Sequence, residues 1–63
     1  MRSEHKVGDP LYHPDFGFGC ITRLADVYDW YKVQWSNMNG ENMHQHHSIE
    51  VFKMNLNFKL DNP

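Results

Sequence analysis

Val7-Gly8-Asp9-Pro10-Leu11-Tyr12-His13-Pro14-Asp15-Phe16-Gly17-Phe18-Gly19 reads as one short strand, a tight turn and the start of a second strand. Pro10 has no backbone N–H, so the first strand is expected at a sheet edge or from Leu11 onward. Gly8-Asp9-Pro10 has the composition of a bend leading into it. In Pro14-Asp15-Phe16-Gly17, Pro presets φ, Asp can bond its own backbone and Gly accepts positive φ, which together predict a turn. Gly19 then predicts a bulge or a close backbone approach as the second strand begins.

Outward from this stretch, Cys20 to Tyr28 continues the second strand, with Ile21, Thr22 and Val27 favouring extended backbone. Trp30 to Trp35 is the clearest strand: Tyr31, Val33 and Trp35 alternate with Trp30, Lys32 and Gln34. The first set is assigned to the core together with Phe16. Ser36-Asn37-Met38-Asn39-Gly40 closes a hairpin, and Glu41 to Gln45 is a short fourth strand. His46-His47-Ser48 is expected as a polar turn of 3₁₀ type, and Ile49 to Lys53 as a fifth strand. Met54, Leu56, Phe58 and Leu60 again alternate, which predicts a sixth strand or a surface for a partner. With no long 3.6-residue periodicity, the fold class expected is all-β: a small SH3-like or Tudor-like barrel of five or six short antiparallel strands. One domain spans 1–63, with a flexible lead-in at 1–6 and a C-terminal tail or extra strand at 54–63.

Composition narrows the function. A chain of 63 residues makes one domain and buries about 60% of its unfolded surface. Two Trp, three Tyr and four Phe supply the bulk that so small a core needs. The single cysteine, Cys20, allows no internal disulfide. No stretch is apolar enough to span a membrane, and residues 1–6 lack the apolar core of a signal peptide, so a cytoplasmic location is expected. The net charge is −2 and the six Lys and Arg residues are scattered, which argues against a phosphate-gripping surface.

The run V-G-D-P-L-Y-H-P-D-F-G-F-G-C-I over residues 7–21 resembles the pattern V-G-D-x-V-x-H-x-x-F-G-x-G-x-V. That pattern opens the small Tudor-like barrels at the C-terminus of UvrD-type helicases and the RNA-polymerase-binding barrel of CarD-type regulators. Val7, Gly8, Asp9, His13, Phe16, Gly17, Gly19 and Ile21 match directly, and Leu11 conservatively. Lys32-Val33-Gln34-Trp35 looks like the family's third strand. The likeness is loose to residue 35 and absent beyond it, and the chain departs from the pattern at Pro10 and over 37–47. The resemblance implies a docking module whose partner is a protein such as RNA polymerase or a helicase or repair factor. A free-standing copy this small and rich in Asn and Met looks like a phage or mobile-element protein, placed in the host cytoplasm or the virion.

His44, His46 and His47, with His13 and Cys20, invite comparison with a metal site. Adjacent strand residues point to opposite faces, however, and zinc wants four N or S ligands at defined spacing, so a solvated turn and no metal are expected. His13 is expected to bond the turn backbone rather than act as a base. Cys20 reads as a small buried hydrophobe. No carboxylate pair, phosphate-cradling loop or nucleophile elbow is present, so neither a catalytic set nor a cofactor site is expected. The better lead is aromatic. Tyr12, Phe18, Tyr28 and Trp30 fall off the core face, with Lys32 beside them, and form the candidate partner-binding set. Two other functions stay open: a barrel that stacks nucleic-acid bases on aromatics, and a structural or homo-oligomeric subunit that pairs through its alternating tail.

Overall fold

The computed structural model describes residues 5–25 and 29–61. Four strands, β1 (Pro10–His13), β2 (Gly17–Leu24), β3 (Trp30–Trp35) and β4 (Glu41–Gln45), form one antiparallel sheet in the order β1-β2-β3-β4. A 16-residue helix, α1 (His46–Asp61), follows β4 directly.

The opening stretch folds as its residues dictate. β1 is an edge strand, where the missing donor of Pro10 costs no ladder bond. The turn into β2 places Gly17 at φ 86°, a conformation costly for any other residue. The Asp15 amide donates to His13 Nδ1 at 3.0 Å, and the His13 ring stacks on Phe16 at 4.0 Å. Register then sets Leu11 opposite Gly19 and Tyr12 opposite Phe18. Gly19 serves a close approach rather than a bulge: a Cβ there would stand 2.6 Å from Trp35 Cε3. The bulge falls later, between Ile21 and Arg23, where Thr22 Oγ1 donates to the Lys32 carbonyl at 3.3 Å.

Leu11, Ile21, Tyr31, Val33 and Trp35 line one face of the sheet and are buried there with Ile49 and Phe52 of α1. Phe16 packs against this cluster from the turn and Met38 from the β3–β4 loop. The Phe52 ring meets Trp35 edge-on at 5.0 Å. Lys53 Nζ, one residue on, pairs with Asp9 Oδ2 at 2.9 Å and ties α1 to the segment before β1.

The all-β barrel of five or six strands is overturned: the sheet is open, β1 and β4 do not pair, and the fold is α+β. The expected 3₁₀ turn at His46–Ser48, fifth strand at Ile49–Lys53 and sixth strand at Met54–Leu60 are one helix. The cause lies in the sheet. A four-stranded sheet with one apolar face needs a second layer, and a helix of this length, about 24 Å, supplies one. Ile49, Phe52 and Leu56 sit at i, i+3 and i+7, a helical stripe hidden beneath the alternation. The tail is therefore not an edge strand, and pairing between copies through such a strand loses its basis. Among the described residues no helix is long and apolar enough to cross a membrane.

Candidate functional site

With α1 on one face, side chains of alternate parity line the other. The register places Tyr12 beside Phe18, Cys20 beside Gln34, Gln34 beside Glu41, Lys32 beside Met43, and Trp30 beside Gln45 on this second face. Away from its Tyr12 end, which Lys59 of α1 reaches, no described element packs over it. Phe18 is 50% exposed and Met43 41%, while Tyr12, Trp30, Lys32 and Gln34 are half-buried.

The bulge in β2 shapes the middle of this face. Along a regular strand Arg23 would share a side with Ile21 and point into the core. The extra residue turns it outward, into register with Lys32. Two like charges directly opposite each other repel. At one end, the Tyr12 and Phe18 rings lie 4.9 Å apart and tilted by 57°. Lys59 reaches around the β1 edge from α1, its Nζ 5.3 Å from the Tyr12 ring centre. At the other end Trp30 lies two residues from Lys32 on the same side.

Four of the residues expected to bind a partner, Tyr12, Phe18, Trp30 and Lys32, thus share one surface, and two of them are in ring contact. Tyr28 lies outside the described residues. Sequence reasoning missed Arg23 and Met43. Met43 is legible from the parity of β4; Arg23 is not, because only the bulge brings it to this side.

The histidines do not converge as a loop cluster. His44 sits on the covered face, where its Nε2 accepts from Trp35 Nε1 at 3.2 Å. Burial, reinforced by His13, pushes the His44 imidazole below its usual range and keeps it neutral, as an acceptor must be. His47 is exposed on α1. His46 instead turns towards His5 and Glu50. Cys20 is exposed in the open face rather than buried, on the opposite side of the sheet from His44. No family model, curated protein or solved structure matches the chain.

Proposed function

We propose that this chain is a non-enzymatic interaction module that docks on a protein through the open face of its sheet. The observation that carries the reading is the juxtaposition of an aromatic pair, Tyr12 and Phe18, with the outward-turned cations Arg23 and Lys32 on a surface that, away from its Tyr12 end, no described element covers. Aromatic and Arg side chains are the residue types that anchor protein interfaces. The complementary partner segment offers an apolar side chain to Phe18 and Met43 and a carboxylate to Arg23 and Lys32. The separation of Cys20 from His44 by the sheet speaks for binding rather than nucleophilic chemistry.

The resemblance of residues 7–21 to the CarD-type and UvrD-type modules directs the search for that partner to the transcription and repair machinery. Purified bacterial RNA polymerase and a UvrD-type helicase are the probes, each passed over the immobilised chain. A folded Phe18→Ala/Trp30→Ala double variant is expected to lose the bound probe; equal retention by both proteins removes this surface from the account. The aromatic–cation juxtaposition also fits single-stranded nucleic acid. A gel-shift at low salt separates the two, since phosphate-driven binding appears there and fades as salt is added.

A further inference from the structure

We propose that His5, His46 and Glu50 form a binding site for a divalent transition-metal ion of the Zn²⁺ class. One ligating atom from each lies within 4.8 Å of the other two, and among the described residues no other group of His, Cys, Asp and Glu is brought together in this way. His46 and Glu50 are one helical turn apart on α1, with Nε2 and Oε2 separated by 3.2 Å. His5 arrives from the segment before β1, its ring centre 4.5 Å from that of His46.

The donor set selects the ion. Two imidazoles and one carboxylate suit zinc and its neighbours, whereas calcium and magnesium prefer oxygen alone. Three protein ligands leave a position for water, and the exposed side of Glu50 lies open to it. Tyr31 provides the outer support. Its hydroxyl stands 3.4 Å from His46 Nδ1, which leaves Nε2 directed at Glu50, the arrangement in which an outer partner orients a metal-bound imidazole. The ammonium of Lys53, on the same helix, is engaged by Asp9 at 2.9 Å. An ion here would join the segment before β1 to the first turns of α1, a staple for a small domain that has no disulfide.

The test titrates ZnCl₂ into the chelator-treated full chain by calorimetry, with thermal melts alongside and Co²⁺ as a spectroscopic stand-in. One ion per chain, a rise in melting temperature and the ligand-field bands of a low-coordinate Co²⁺ site are expected. His5→Ala and Glu50→Gln should each weaken binding by about tenfold or more, and Tyr31→Phe by about 10–100-fold, the range for outer-shell partners. His47→Ala, an exposed neighbour on the same helix, should leave affinity unchanged. Glu50→Gln alters an exposed side chain and remains informative if His5→Ala does not fold. Absence of stoichiometric binding, or binding that Glu50→Gln leaves intact, overturns the proposal, as does a loss with His47→Ala equal to that with Glu50→Gln.

Discussion

Trp35 Nε1 donates to His44 Nε2 at 3.2 Å beneath α1, joining a fully buried indole to a half-buried imidazole on the covered face of the sheet. The bond fixes the tautomer, since Nε2 must carry no proton and Nδ1 must hold it. It also explains why β4 presents a histidine to the covered face. His44→Ala leaves the indole N–H buried without its acceptor and is expected to cost about 1–3 kcal/mol. Urea unfolding at neutral pH, followed by Trp fluorescence, measures it. A loss within the scatter of surface substitutions would show that the bond contributes nothing.

Acid should destabilise the fold in two stages. The folded-state pKa values of His5 and His44 lie below the usual 6.5, so the unfolded chain binds protons first as pH falls. Stability therefore declines below about pH 6.5 and goes on declining until the folded-state values are passed. Asp9 comes later. Burial opposes its charged form, but the Lys53 hydrogen bond and the Lys6 amide outweigh burial and hold the carboxyl below 3.8, so its contribution is lost only below that pH. Melting temperatures from pH 8 to pH 3 record both stages. In His44→Gln the first stage should shrink; an undiminished first stage would remove His44 from the explanation.

Gly19 and Gly40 are needed for different reasons. A Cβ on Gly19 would meet Trp35 Cε3 at 2.6 Å and the Gln34 carbonyl at 2.8 Å, and neither a buried ring nor a ladder carbonyl can yield cheaply. Gly40 has open space around it and a φ of 82°, so a substitution there incurs backbone strain alone. Gly19→Ala is expected to cost about 3 kcal/mol, at the upper end for overpacking, and Gly40→Ala about 1 kcal/mol. Denaturant midpoints of the two variants decide the order, and a reversed order contradicts the packing described for Trp35.

Met54 and Phe52 report on the helix. In a strand running from residue 49 to 60 they would share a face. In α1, Phe52 is buried and Met54 is 69% exposed. Phe52→Ala should cost about 3–5 kcal/mol, and Met54→Lys less than about 0.5 kcal/mol. A large loss with Met54→Lys would contradict the helix.

How far the fold could be read from the chain varies with how local its causes are. The β1–β2 turn, the alternation of β3, the loop before β4 and the core role of Tyr31, Val33 and Trp35 were legible because each follows from two or three adjacent residues. The helix was not. Phe52, Met54, Leu56, Phe58 and Leu60 keep strict alternation with Lys53, Asn55, Asn57 and Lys59 between them. No Ser, Thr, Asp or Asn precedes His46 to announce a helix start, and the first turn holds no acidic residue. One open donor of that turn is met from a distance, the His46 amide bonding the Asp29 carbonyl at 3.0 Å. The candidate surface was half legible: Tyr12, Phe18, Trp30 and Lys32 follow from parity, while Arg23 depends on a bulge that no single residue signals.

The affinity of purified bacterial RNA polymerase for variants of the two faces is the decisive measurement. If the open side of the sheet is the docking surface, Phe18→Ala and the pair Arg23→Glu/Lys32→Glu each weaken binding by about thirtyfold or more, the scale of interface hot spots, while Met54→Lys on the exposed side of α1 leaves it unchanged. Binding that survives both open-face variants, or that only Met54→Lys abolishes, would contradict docking through the open face.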